Sequence, residues 1–372
     1  MAAPSFLYKY LKEARMKNLS IMTPINDLGY GIAGKNICKS LKREGYNVSL
    51  FPIGEPSFSS QEEADELSVM LKERLNFDVK APCIKIWHEH SMSERIGKGR
   101  FIGFPFFEIN KFDKVRQHQL SSCDDVFVAS GWAKEIMNKE VPSVTTHVVP
   151  LGVDTELFSP LDSPTSFPDN NKFVFFNCGK WEKRKGHDLL LLLFQQAFKN
   201  ENDVELWMMC QNPFLPPEEA AKWTTAYSSD PRVKLIDRVQ TQQNMVPILQ
   251  QVRCGIFPSR AEGWNLEILE LMSMGKHIIT TDYSAHTEYC TNSNSMLVKP
   301  LKEEQAHDGI WFDGSAEWAS LDGLEEQFVD HMRKLYEKWK TGEYKKNEEG
   351  IDTASQYRWE ACAKRIKGIL DN

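Results

Sequence analysis

The chain has 372 residues, more than one ordinary core serves and enough for two domains of about 150–200 residues each. With 41% hydrophobic and 26% charged residues it is neither a disordered chain nor a fibrous rod. A net charge of −7 gives no global pull toward nucleic acid or anionic lipid, so general nucleic-acid binding is not expected.

In chain order, Phe6, Leu7, Tyr10, Leu11 and Ala14 can share one helical face, with Lys9, Lys12, Arg15 and Lys17 beside it. A leader helix over about 4–16 is expected, packed on its own domain or resting peripherally on a membrane. Short β-rich runs then alternate with helical patterns: strands at 18–23, 47–52, 83–88, 100–104, 125–129 and 145–149, helices at 33–44, 61–75, 110–121 and 131–138. After Ser159 to Lys172, a polar stretch stiffened by Pro160, Pro164 and Pro168, the alternation resumes. Strands are expected at 172–178, 203–210, 232–236, 254–258, 277–281 and 296–298, and helices at 186–198, 217–227, 241–251, 265–274 and 325–340. Such alternation predicts two doubly wound α/β domains with parallel sheets, and a cleft between them as the active site. The divisions are 1–157, a linker over 158–172, a second domain over 173–352, and a final helix at 353–372. No two of the eight cysteines lie within four residues of each other, which argues against zinc knuckles and redox pairs. Reduced, buried thiols in a cytoplasmic protein are expected, since no secretory segment or membrane-length apolar run is present.

The segment Pro258 to Glu270 carries the most chemistry. A buried strand ends, and a helix begins near Trp264 or Asn265, so the amides of Gly263, Trp264, Asn265 and Leu266 face outward as an anion site. Glu262 and Glu270 flank it, suited to sugar and ribose hydroxyls; the bland alternative makes Glu262 a helix cap and Glu267 and Glu270 a solvated face.

Glu262-Gly-x-x-Leu-x-x-x-Glu270, followed by Gly275 and Glu288, resembles the Glu-x7-Glu signature of retaining glycosyltransferase family 4. His147 to Pro160 is similar to that family's interdomain segment, Gly179-Lys180 with Lys185-Gly186 to its phosphate clamp, and Asp125 to Ser130 to one of its strands. Gly29-Tyr-Gly31 takes the place of its first Gly-rich loop, so the resemblance runs from about Asn18 to Met332.

The resemblance implies a GT-B fold, with the last helix crossing back onto the first domain, and a nucleotide-diphosphate sugar as donor substrate. It implies that Glu262 approaches the transferred sugar and Glu270 holds the ribose. Lys180 and Lys185 neutralise the diphosphate, Arg184 supporting them because Lys180 stands where the family has Arg, and the base lies by Arg238 and Val239. In the first domain, Glu108 and His88 are the candidate cleft residues; His88 with His90 could alternatively form a metal pair, for which the sequence offers no third ligand. No metal or other cofactor is expected, since no Asp-x-Asp triad occurs. The acceptor is open: glycan, lipid-linked sugar, small molecule or other. One alternative is a nucleotide-sugar-binding protein that has lost catalysis. Another is an NAD-dependent oxidoreductase, suggested by Gly29-x-Gly31-x-x-Gly34 but opposed by the long segment between Met22 and Gly29.

Overall fold

The computed structural model describes residues 16–160 and 171–372. The expected leader helix therefore lies outside the described residues, as does most of the expected linker. Two six-stranded sheets dominate. The first holds β1 (Lys17–Thr23), β2 (Tyr46–Pro52), β3 (Cys83–Lys85), β4 (Phe101–Gly103), β5 (Asp125–Val128) and β6 (Thr145–Val148), in the order β2-β1-β3-β4-β5-β6. The second holds β7 (Phe173–Gly179), β8 (Val204–Cys210), β9 (Val233–Leu235), β10 (Cys254–Phe257), β11 (His277–Thr281) and β12 (Met296–Val298), ordered β12-β11-β10-β7-β8-β9. Every pairing in both sheets is parallel.

The near-continuous apolar strands follow from this, because helices cover both faces. In β7, Phe173 and Phe175 join one buried cluster while Val174 and Phe176 join another across the sheet. All eight cysteines are free thiols, seven of them buried. Among the described residues, no helix is long and apolar enough to cross a membrane.

Strand order reverses between β1 and β3 in the first sheet and between β7 and β10 in the second. At such reversals the adjacent loops diverge and leave a crevice beyond the strands' carboxyl ends. The loops after β3 and β7 carry His88 and Lys180, and the loop after β10 carries Glu262.

Three features differ from expectation. First, Gly29 opens the helix Gly29–Arg43, so Gly31 lies inside a helix rather than in a Gly-rich loop. A Cβ on Gly31 would sit 2.3 Å from Asn26 Oδ1, and one on Gly34 would sit 2.0 Å from Thr23 Oγ1. Close packing against the preceding loop and strand thus accounts for that Gly pattern, without a dinucleotide.

Second, the expected single final helix over 353–372 is two helices, Glu348–Gln356 and Trp359–Leu370. The chain breaks where the Tyr357 carbonyl accepts from the Val153 amide at 2.9 Å, tying the exit of one interdomain crossing to the other. Cys362, Ala363 and Ile366 then pack with Ala33, Ile37 and Leu41, which carries the last helix back onto the first domain.

Third, the segment from Glu303 to Ala319, where no strand is expected, is an antiparallel hairpin, β13 (Glu303–His307) and β14 (Asp313–Ala319), ahead of the expected helix Glu325–Lys340. Ala306, Ala316 and Trp318 bury against first-domain residues including Phe107 and Ala133. Asn110 Nδ2 donates to Glu303 at 3.0 Å and the Glu317 amide donates to Asn110 Oδ1 at 2.9 Å, so the hairpin clasps the two domains.

Candidate active site

The loop after β10 turns at Glu262 and enters the helix Leu266–Ser273, with no side chain capping its first turn. Asn265 occupies the left-handed region (φ 78°), a conformation rare outside glycine. His286 helps hold it there. Its Nε2 lies 3.1 Å from Asn265 Nδ2 and its Nδ1 lies 2.9 Å from Thr280 Oγ1. Burial pulls His286 down to about 4, so the ring is neutral and can accept the amide hydrogen. Tyr289 reinforces the turn by donating to the Trp264 carbonyl at 2.6 Å. Gly263 faces the first domain, where an added Cβ would stand 3.0 Å from the Phe106 carbonyl carbon.

Glu262 is buried, and both carboxylate oxygens are engaged. Lys185 Nζ lies 2.8 Å from Oε1, Arg184 Nη1 lies 2.8 Å from Oε2, and Ser259 Oγ donates to Oε1 at 2.9 Å. Burial alone would raise the Glu262 carboxyl, but the two cations override it and hold it well below the ordinary carboxylate range. Glu262 also keeps the Lys185 ammonium charged above its usual range despite burial. Arg184 does more than support Lys180. Its guanidinium binds Glu182 (2.7 Å) and the Ala261 carbonyl (2.7 Å), and reaches toward Glu108 of the first domain (3.9 Å). Lys180 is about half exposed, 3.3 Å from Glu182. The loop carrying these residues is pinned by His187, whose Nδ1 accepts from the Glu182 amide at 3.2 Å.

Glu270 is buried, which overturns its reading as part of a solvated face. Gln242 Nε2 donates to it at 2.7 Å. Burial, with Glu267 adding, pushes its carboxyl up to about 8 against that hydrogen bond. Arg238 is exposed and donates to the Asp27 carbonyl across the cleft at 2.8 Å, while neighbouring Val239 packs on the core.

On the first-domain side, His88 and Glu108 lie in loops beyond β3 and β4 rather than at strand ends. Burial pushes the Glu108 carboxyl up to about 7, opposed by Arg184 and helped by Glu262 and Glu182. Burial pulls His88 down to about 4, with Lys180 across the cleft among the groups that lower it. Tyr30, which sequence reasoning passed over, organises this wall. Its hydroxyl donates to the Phe106 carbonyl at 3.0 Å and accepts from the Phe106 amide at 3.1 Å, and its ring lies against His88. The only sequence signal was its place between two glycines.

His88, Glu89 and His90 bring a possible ligand atom each within 4.8 Å of one another, so Glu89 supplies the third group that spacing did not offer. Glu89 is already compensated by Arg116 at 2.9 Å, and the two imidazoles stack nearly parallel at 5.1 Å. Glu89 thus stands in a structural ion pair with Arg116 as well as beside the two imidazoles.

Residues 172–311 match the family described as Glycosyl transferases group 1. No curated protein sequence matches the chain. Solved structures do match, at low identity. Sucrose-phosphate synthase from Thermosynechococcus elongatus aligns with TM-score 0.68 and 12% identity, over 95% of this chain and 98% of that one. A glycosyltransferase from Rickettsia africae aligns with TM-score 0.67 and 14% identity, over 96% and 98%. Anabaena HepE in complex with UDP-glucose aligns with TM-score 0.67 and 14% identity, over 95% and 99%. The architecture is the GT-B fold of glycosyltransferases, and its second domain carries the group 1 match.

Proposed function

We propose that this protein is a retaining, metal-independent glycosyltransferase that moves a hexose from a nucleotide-diphosphate sugar to an acceptor hydroxyl. The observation carrying the reading is the buried cluster of Glu262, Lys185 and Arg184 beside the uncapped start of the helix Leu266–Ser273, at the reversal between β7 and β10. Cleavage of a sugar–diphosphate bond places negative charge on the departing phosphate. Lys185 spends one ammonium hydrogen on Glu262, leaving two for phosphate oxygens, and partly exposed Lys180 adds a second cation. The helix N-terminus supplies fixed dipoles, so charge is met by preorganised groups.

In this reading the bond between the anomeric carbon and the diphosphate oxygen breaks, and an acceptor oxygen bonds to the carbon on the same face. The acceptor proton passes to the leaving phosphate oxygen. Glu262 lies against the transferred sugar, Glu270 binds the ribose, the base sits by Arg238 and Val239, and Glu108 and His88 are catalytic residues of the first-domain wall, His88 near the transferred sugar. UDP-glucose, the ligand of the Anabaena relative, is the first donor to try. The test is release of nucleoside diphosphate from UDP- and GDP-sugars in the presence of a chelator. Slow release supports the reading. Binding without cleavage under any acceptor indicates a sugar-nucleotide-binding protein, and a response to NAD alone would refute it.

A further inference from the structure

The hairpin ends in an ordered tip apart from the cluster around Glu262. Asp308 Oδ1 accepts from the amides of Ile310 (2.9 Å), Trp311 (2.7 Å) and Phe312 (2.9 Å), fixing the turn. Phe312 goes inward against Trp318, but Trp311 is left 47% exposed. Facing it is Phe214, 57% exposed, on the loop after β8, with ring centroids 6.5 Å apart and planes at 89°. The Phe214 loop is also fixed, its amide donating to Asn212, which donates in turn to the Trp181 carbonyl. Lys180 Nζ stands 5.6 Å over the Phe214 ring and 3.3 Å from Glu182, so the aromatic pair continues directly into the cluster around Arg184.

We propose that Trp311 and Phe214 form an acceptor subsite that stacks a neutral pyranose ring of a glycan, beside Lys180 at the mouth of the cleft. This rests on the glycosyltransferase reading above. A pyranose presents one C–H face to an aromatic ring and hydroxyls around its rim, and at these half-exposed rings the hydroxyls stay in water. Other occupants fit less well. Phe214, Trp311 and Ile310, each about half exposed, offer far less than the roughly 800 Å² per partner of a stable protein interface. At the tip, Asp308 and Asp313 stand beside Lys180 and Lys183, whose ammonium donates to the His307 carbonyl at 3.1 Å, so the patch carries no excess of either sign that would select a charged polymer or lipid over a neutral sugar.

The experiment uses the full chain with maltotriose, cellotriose and chitotriose as probes. Saturation-transfer NMR reports sugar contact and calorimetry with UDP reports the nucleotide site. The expected result is contact with at least one trisaccharide, weakened about tenfold or more in Trp311→Ala and Phe214→Ala and largely restored in Trp311→Phe. UDP affinity and melting temperature should stay as in wild type. Equal signals in wild type and both variants would overturn the proposal, as would no signal from any trisaccharide with wild type. Loss of a self-associated species in Trp311→Ala would overturn it too, by making the patch a contact between copies. If Trp311-dependent sugar contact appears while neither UDP nor GDP binds, the subsite stands and the nucleotide-sugar reading falls.

Discussion

Arg184 Nη1 lies 2.8 Å from Glu262 Oε2 while its Nη2 lies 2.7 Å from Glu182 and 3.9 Å from Glu108, so one buried guanidinium joins both walls of the cleft. Glu262 compensates it and Lys185 together. Removing that single carboxylate leaves two buried cations short of charge. Glu262→Gln should therefore destabilise the protein by about 3–5 kcal/mol, as breaking one side of a buried ion pair does. Urea unfolding checks this; a variant as stable as wild type would mean that the cluster is far more solvated than it is here. The pH dependence has a definite sign. A carboxyl held below its ordinary range contributes stability that is present above that range and lost as pH falls through the depressed value. Acid unfolding should thus begin at higher pH in wild type than a surface-only titration predicts, and Glu262→Gln should lose that step.

Glu108 behaves in the opposite way. Its folded value, about 7, lies above that of an unfolded carboxyl. Its contribution is complete below the unfolded value and is lost as pH rises through about 7. Glu108→Gln should accordingly gain stability relative to wild type at pH above about 7 and show little gain near pH 4. If Glu108 acts in transfer, the same substitution should remove a limb near pH 7 from the kcat/KM profile. Matching melting curves at both pH values would dismiss the raised carboxyl.

The two sheets were legible because each strand is a short apolar run bounded by turn residues, and Cys254 to Phe257 followed by Gly263 is a clear strand–loop–helix entry. The pairing that makes the cluster was not, since Arg184 and Glu262 are brought together by adjacent parallel strands β7 and β10 far apart in sequence. Arg184 sits in a run of four charged residues, Glu182 to Lys185, which places it beside the phosphate clamp, but only tertiary burial shows that it, and not Lys183, binds Glu262. The hairpin was missed because its outward residues are charged, leaving Ala306, Ala316 and Trp318 as a thin inward pattern. Asp308-Gly309 and Asp313-Gly314 were turn signals that could have revealed it. The break at Tyr357 carries neither Gly nor Pro, and follows from the contact with Val153.

Lys185→Ala should separate binding from folding. Glu262 keeps Arg184 and Ser259 as partners in that variant, so the fold survives, whereas the phosphate site loses its buried cation. Nucleoside diphosphate affinity should fall by tenfold or more, equivalent to about 1.4 kcal/mol, with transfer abolished. Calorimetry with UDP and GDP measures the first and product release the second. Unchanged affinity would remove Lys185 from the phosphate clamp.

Glu270 provides the corresponding test at the ribose. Its carboxyl, pushed up to about 8, is protonated at neutral pH in the free protein and has one amide partner in Gln242. Ribose hydroxyls donate best to an ionised carboxylate, so binding favours loss of the proton. Nucleotide affinity should therefore rise as pH increases from about 7 to 9 in wild type, and Glu270→Gln should flatten that rise. Glu270→Ala should weaken binding by about 1–3 kcal/mol at every pH, because the hydroxyls lose a partner in a dry pocket. Calorimetry across the pH range in two buffers of different ionisation enthalpy reports the proton released on binding. Proton release by wild type that persists in Glu270→Gln would assign the titration to another group and return Glu270 to a purely structural bond with Gln242.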